Sequence, residues 1–297
     1  IVGFLRSIGF AINMVRPTRT IIVFDGKGGS NRRRKIFPEY KAGRKMSLRL
    51  NRTDGISLTR ADEHKMMIAQ LNRVIEYLEL LPLTITTAEN IEADDVIGYS
   101  AKHVFKDKVT IMSTDKDFLQ LVDDRISVWS PTKKKMYDQE KILEEYGISS
   151  TNFLLFRTMD GDKSDGIPGI KGAGIKTLLK LFPWLESPHK FTIEDVLKSA
   201  ESKKKQFKLC EVITNSSDQL LLNKKLMDLD EINISGSSKL KIQEICGNPI
   251  QRLVKHIFQK KFLEDKLYTA LPNLDSWLHT TFNRLNFMAE KTHGTKT

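Results

Sequence analysis

Two short apolar, β-branched runs in this chain each end in an aspartate: TIIVFDG at 20–26 and VTIMSTD at 109–115. Runs of that length and composition read as buried strands. LTITTA (83–88) and ISVWS (126–130) add two more. Helical spacings lie between them. Residues 61–81 repeat apolar positions at Met67, Leu71, Val74, Leu78 and Leu81, and IEADDVIGYSAKHVF (91–105) and QEKILEEYG (139–147) follow, with Gly147 placed to end the last. Strands alternating with helices predict an α/β sheet with parallel pairing. Sites in such sheets form beyond the carboxyl ends of the strands. Asp25, Asp115 and Asp117 stand there, and Glu92, Asp94 and Asp95 open the helix after a third strand.

The flanking segments are simpler. IVGFLRSIGFAINMVRP at the N-terminus has apolar residues three and four apart, broken by Arg6 and Arg16. That pattern predicts a core-facing helix, not a signal peptide. After about residue 150 the sequence reads as helical, with a Lys-rich stretch at 203–208 and a loose loop at SGSS (235–238).

The chain has 297 residues, and its 48 Lys and Arg outnumber 37 Asp and Glu for a formal charge of +11. A basic surplus of that size favours nucleic acid over an anionic membrane as partner. No segment approaches the roughly 18 uninterrupted apolar residues of a membrane span. Cys210 and Cys246 are too few for a disulfide framework or a zinc cage, and fit a reducing cytoplasm. The basic surplus is densest over residues 27–60, which hold eleven Lys and Arg against Glu39 and Asp54. Apolar periodicity is poor there, which predicts an exposed, mobile segment.

The acids carry the chemistry. Taken singly, Asp94 and Asp95 could serve a helix dipole, Asp115 an N-cap and Asp25 a turn. Four acidic clusters in the right topological place are harder to explain that way. The fourth lies in MDGDKSDGIPGIKGAGIKT (159–177), where aspartates run straight into a basic, glycine-punctuated turn. Crowded carboxylates repel unless cations neutralise them. Oxygen ligands with no nearby His or Cys favour Mg²⁺ or Mn²⁺ over zinc. Two such ions about 4 Å apart can drive phosphodiester hydrolysis.

Asp25-Gly26, PEYKAGR (38–44), EADDVIG (92–98), STDKDFLQL (113–121) and GDKSDGIPGIKGAGIKT (161–177) occur in a fixed order. As a set they resemble the 5′-nuclease family. That family includes the 5′→3′ exonuclease domain of bacterial DNA polymerase I, bacteriophage 5′-exonucleases and ribonucleases H, and flap endonucleases. The resemblance covers about residues 1–235, with LLLNKKLMDLDE (220–231) as a late segment. It implies a PIN-like (resolvase-like) α/β domain, a three-layer sheet with a helical arch, over residues 1–149 with the arch at about 27–60. An α-helical helix–turn–helix DNA-binding subdomain, H3TH or HhH2-like, would follow over 150–297. No polymerase domain follows in this sequence, so a free-standing enzyme of a bacterium or phage-infected bacterial cell, cytoplasmic and monomeric, is expected.

By resemblance, Asp25, Glu92, Asp94, Asp115, Asp117, Asp162 and Asp165 line a two-ion Mg²⁺ or Mn²⁺ centre, with Asp95 close by. Asp160 falls outside the family's pair and reads as a surface acid. Tyr40 would stack a base, while Lys41 and Arg44 would neutralise the attacked phosphate. Arg32, Arg33, Arg34 and Lys35 would draw single-stranded 5′ ends inward, whereas Arg49 and Arg52 read as a solvated basic loop. In the turn from Ile167 to Thr177, Gly169, Gly172 and Gly174 would let backbone N–H groups approach duplex phosphates, with Lys171 and Lys176 adding charge. A potassium-like ion bound by carbonyls of that turn is also implied.

Two departures stand out. Gly166 follows Asp165 where the family carries Asn. Family members also begin with a strand ending in Asp-Gly, upstream of the helix that opens this sequence, so an N-terminal truncation is expected. The function implied is a metal-dependent, structure-specific 5′-nuclease of DNA replication and repair. Its substrates would be nicked or branched DNA with 5′ flaps, and RNA-primed 5′ ends as RNA–DNA hybrid. The alternatives are a DNA-junction binder lacking the first metal-ligating Asp, and a PIN-like ribonuclease, which the helix–turn–helix disfavours.

Overall fold

The computed structural model describes residues 1–44, 59–232 and 234–294. In chain order it runs α1 (Val2–Val15), β1 (Ile21–Asp25), α2 (Asn31–Ile36), α3 (Arg60–Leu78), β2 (Thr84–Ala88), α4 (Ala93–Tyr99), β3 (Val109–Met112), β4 (Ile126–Ser130) and β5 (Lys135–Tyr137). Helices follow: α5 (Gln139–Tyr146), α6 (Ser150–Asp160), α7 (Ile175–Leu181), α8 (Ile193–Lys203), α9 (Lys208–Thr214), α10 (Ser217–Met227), α11 (Gly236–Gly247), α12 (Lys255–Glu264) and α13 (Leu274–Gly294). No helix among the described residues is long and apolar enough to cross a membrane.

The chain divides into two compact units. The first comprises 1–24, 45–86 and 244–297; the second comprises 25–44 and 87–243. The expected boundary at 149/150 falls inside the second unit.

In the first unit, α1 buries Leu5, Ile8 and Ile12, the stripe read from the sequence. They join Tyr77 and Leu78 of α3, Phe258 and Phe262 of α12, and Phe282 and Leu285 of α13 in one core. Thr59 and Asp62 start α3 with a reciprocal capping box. Only the later part of the α3 stripe is buried: Val74 and Leu78 are in the core, while Met67 and Leu71 are 36% and 43% exposed.

In the second unit, β3 pairs parallel with β4 as expected, from Val109↔Ile126 to Met112↔Trp129. A short β5, absent from the sequence reading, then pairs antiparallel with β4. β1 and β2 form a separate two-stranded sheet, of which residues 21–24 and 84–86 belong to the first unit. Ile111, Phe118, Val128, Phe153 and Leu178 are buried in the main core, so the sheet and the helices after it share one interior. Side-chain caps start α5 at Asp138, α6 at Ser149 and α8 at Thr192, and Gly147 ends α5 with φ 66°.

Residues 31–36 depart from expectation. They form a helix inside the basic segment that had read as mobile, with Arg33 buried. The rest of the expected arch, residues 45–58 with Arg49 and Arg52, lies outside the described residues.

Candidate active site

All the acids singled out from the sequence belong to the second unit. Strand ends place the first ones. Asp25 closes β1, and Gly26 follows because a Cβ there would lie 1.7 Å from the Ala88 carbonyl oxygen. Asp25 Oδ1 accepts the Ala93 N–H at 2.9 Å, at the start of α4. Glu92 is the N-cap residue of α4 and is buried, and Asp94 and Asp95 sit in its first turn. After β3, Asp115 Oδ1 accepts the Asp117 N–H at 2.8 Å, which starts a 3₁₀ turn. After α6, Asp162 pairs with Ile167 through two backbone hydrogen bonds, and Asp162 Oδ1 accepts the Ser164 N–H at 2.7 Å.

These segments converge. Asp94, Asp115, Asp117 and Asp165 line one pocket with Arg33, Tyr40, Ile167, Leu226, Met227 and Leu229. Burial and then the neighbouring Asp115 push the Asp94 carboxyl up to about 7. Burial pushes Asp117 up to about 6, with Arg157 opposing and Asp115 adding to it. Both shifts express surplus negative charge in a poorly hydrated place. The donors are hard oxygens throughout, the chemistry that takes Mg²⁺ or Mn²⁺. Among the described residues, however, no three side chains converge as a ready-made ligand set. The protein's own cations occupy several of the carboxylates instead.

Arg33 is the largest correction. Expected as an exposed attractor of DNA, it is 3% exposed. Its guanidinium donates to Glu92, to Asp95 at 2.7 and 2.8 Å, and through Nε to the Leu226 carbonyl at 2.7 Å. Burial alone would lower its pKa, but the Asp95 and Glu92 carboxylates raise it. Arg32 also reaches Asp95, at 3.0 Å. Asp95, fully buried and held by two arginines, therefore serves this ion-pair network and not an open ligand position. Arg34 donates to the Tyr40 carbonyl at 3.2 Å, and Arg34 and Lys35 are exposed as expected.

Tyr40 is also placed differently. It is 3% exposed, its hydroxyl lies 3.2 Å from Glu92, and Lys41 Nζ and Arg33 Cζ stand 5.0 and 5.9 Å from its ring. Burial pushes its phenol up. With the ring packed in this way, no face is open to stack a base. Lys41, by contrast, stands among the acids: its amine pairs with Glu92 and lies 3.9 Å from Asp165. Its backbone N–H donates to the Asp165 carbonyl at 2.8 Å, in a left-handed conformation with φ 57°. Arg44 pairs with Asp165 and is half exposed.

Arg157 is the residue that sequence reasoning missed. Almost buried on α6, it reaches Asp117 at 2.7 Å, Asp162 at 2.8 Å and Asp160 at 3.0 Å, tying two of the acidic segments together. Asp160, read as a surface acid, is therefore its third partner. Burial would raise Asp162, but Ser164 and Arg157 hold it below the usual range. A lone arginine in LLFRTMDGD, between apolar residues and directly before the acids, was the available signal. α10 closes the site from behind, where Asn223 donates to the Thr158 and Pro168 carbonyls at 2.8 Å each and Gln120 donates to the Met227 carbonyl at 2.9 Å.

The turn lies between α6 and α7. Gly172 has φ 89° and Gly174 is the N-cap of α7, with no atom within 4 Å of a Cβ there. Lys171 and Lys176 are exposed. Gly169 has another purpose: a Cβ would meet the Asp160 carbonyl oxygen at 1.9 Å, so this glycine lets the chain pass its own backbone.

Residues 1–147 match the family model of the 5′-3′ exonuclease N-terminal resolvase-like domain. The 5′-3′ exonuclease of Aquifex aeolicus (strain VF5) is 28% identical over 274 residues, covering 90% of this chain and 86% of that protein. DNA polymerase I of Bacillus subtilis (strain 168) is 29% identical over 246 residues, 79% of this chain but 25% of the polymerase. Among solved structures, T5 5′-exonuclease with bound zinc ions superposes with a TM-score of 0.63 at 20% identity, covering 88% of each chain. A pseudo-enzyme–product complex of bacteriophage T5 D15 flap endonuclease with DNA and metal ions gives 0.62 at 22% identity, covering 88% of this chain and 89% of that one. At those identities the structural likeness speaks for the resolvase-like fold. The ordered motifs, the family model and these relatives identify residues 1–147 as a 5′-3′ exonuclease N-terminal resolvase-like domain, and the relatives that share it are nucleases, which are hydrolases.

Proposed function

We propose that this chain is a divalent-metal-dependent, structure-specific 5′-nuclease that cleaves at the junction of duplex DNA and a 5′ flap, with RNA-primed 5′ ends as further substrates. The observation that carries the reading is the meeting of Asp94, Asp115, Asp117 and Asp165 in one pocket, where Asp94 and Asp117 are held well above the usual carboxylate range. Those four carboxylates would hold the ions, Mg²⁺ or Mn²⁺ and two in number, with Asp25 and Asp162 at the flanks. Such ions supply polarisation of the phosphodiester and of the attacking water.

The chain's own residues do the rest. Lys41, paired with Glu92 and close to Asp165, places a positive charge where negative charge grows on the attacked phosphate. Arg44 adds a second, more exposed charge. Arg157 keeps the Asp117 and Asp162 segments in register. Lys171, Lys176, the left-handed Gly172 and the open backbone at Gly174 grip duplex phosphates without sequence preference. A potassium-like ion on carbonyls of that turn and a monomeric state complete the proposal.

One observation favours a second reading, a DNA-junction binder of weak activity: Glu92 and Asp95 are already neutralised by Arg33. Cleavage and binding of one 5′-flap duplex separate the two. The nuclease reading predicts cleavage with Mg²⁺ or Mn²⁺ that EDTA abolishes. Tight flap binding without cleavage in either ion supports the binder, and full cleavage in EDTA overturns the metal-dependent reading.

A further inference from the structure

The Lys-rich stretch at 203–208 has no part in the site described above, yet the fold sets it beside the glycine turn. Leu209 Cδ1 lies 3.8 Å from where a Cβ on Gly172 would stand, so the start of α9 backs the turn. At the other end, the Lys203 amine donates to the Leu181 carbonyl and stands 5.8 Å from the Phe182 ring, which ties α8 to the end of α7. The run is thus anchored at both ends of α7, the helix that leaves the turn.

Its lysines differ in what they are free to do. Lys203 is engaged with Leu181, and Lys204 is paired with Glu201. Lys205 and Lys208 are exposed and take no ion pair among the described residues. Phe207, the N-cap residue of α9 between them, is 47% exposed. An aromatic ring left in water between two unpaired lysines suits a surface met by phosphates and sugars. α7 has seven residues. At about 1.5 Å per residue it spans about 10 Å, roughly three phosphates of one strand measured along the duplex axis.

We propose that Lys205 and Lys208, with Phe207 between them, form a second duplex-backbone contact beside the glycine turn, extending the track along which DNA is held. The proposal rests on the reading of the turn itself as a DNA contact. Phosphates along the track meet Lys171 and Lys176 on the turn and α7, and Lys205 and Lys208 alongside them, and the sugar edge lies against Phe207.

The test is the salt dependence of 5′-flap duplex binding in EDTA, by fluorescence anisotropy between about 50 and about 200 mM KCl. Lys205→Ala with Lys208→Ala should flatten the log–log slope by roughly two, at about 0.9 per lost phosphate contact. Lys205→Arg with Lys208→Arg should keep the parental slope. Lys106→Ala with Lys108→Ala removes the same charge from other exposed positions of the second unit and should also keep it. An unchanged slope in the 205/208 alanine variant, with a flattened one in Lys171→Ala with Lys176→Ala, overturns this inference and leaves the proposed function standing. Equal flattening by the 106/108 control overturns it as well, since general charge then explains the effect. If no protein binds the flap duplex, both this inference and the proposed function fall.

Discussion

Lys41 and Arg157 show how single cations organise the acids. Lys41 shares Glu92 with Arg33 but also faces Asp165, so its charge lies toward the pocket. Arg157 is committed to three carboxylates and is almost buried. The two should fail differently. Lys41→Ala is expected to lower kcat roughly a hundredfold, the usual loss for a donor acting on the transition state. Flap binding in EDTA should change little, because a group that acts on growing charge contributes little to ground-state affinity. Single-turnover cleavage and anisotropy on one preparation check this, and parallel losses in both would place Lys41 in binding instead. The sequence showed the acids because strand ends and helix starts expose them to pattern reading. It did not show their partners. Arg33 sits in a run of three arginines, and nothing in a charge run says which member the fold will bury.

Elements were legible wherever the side-chain pattern decides their structure. β1, β3 and β4 are apolar runs, α1 carries a stripe, and α5 ends at the glycine read for it. The missed elements lack such a pattern. β5 has three residues, Lys135, Met136 and Tyr137, and is defined by its pairing with β4. α2 is NRRRKI, with no apolar period; tertiary ion pairs at Arg33 hold it. The same dependence on distant partners appears in the first unit, where Arg73 of α3 grips Asp265, just past α12, at 2.7 and 2.8 Å, and Tyr77 donates to it at 2.7 Å. Arg73, with Tyr77, holds the Asp265 carboxyl below the usual range. A depressed carboxylate stabilises the fold above its unfolded pKa of about 3.9, and this contribution is lost as pH falls through the folded value. Asp265→Asn should therefore lower stability by about 1 kcal/mol at pH 7. The difference in Tm from the parent should shrink as pH drops below about 4. A gap that persists unchanged into acid would mean that the side chain acts by packing and not by charge.

At the scale of the whole molecule, the motif order in the sequence and the resolvase-like fold agree. The expected division at residue 149/150 does not coincide with the compact units, because the helices after 150 bury Phe153 and Leu178 in the core that also holds Ile111 and Val128. Sequence order shows which segments exist, whereas contact between distant segments decides which of them pack as one body. The central claim is that the pocket of Asp94, Asp115, Asp117 and Asp165 is the metal-dependent nuclease site. Its most direct test is Mn²⁺ binding by electron paramagnetic resonance, on the parent protein and on Asp115→Asn with Asp117→Asn. Thermal melting and 5′-flap cleavage would be followed on the same samples. The parent should bind Mn²⁺ and cleave, while the variant, still folded, should lose both together. A folded variant that binds Mn²⁺ as the parent does and cleaves the flap at the parental rate would contradict the account.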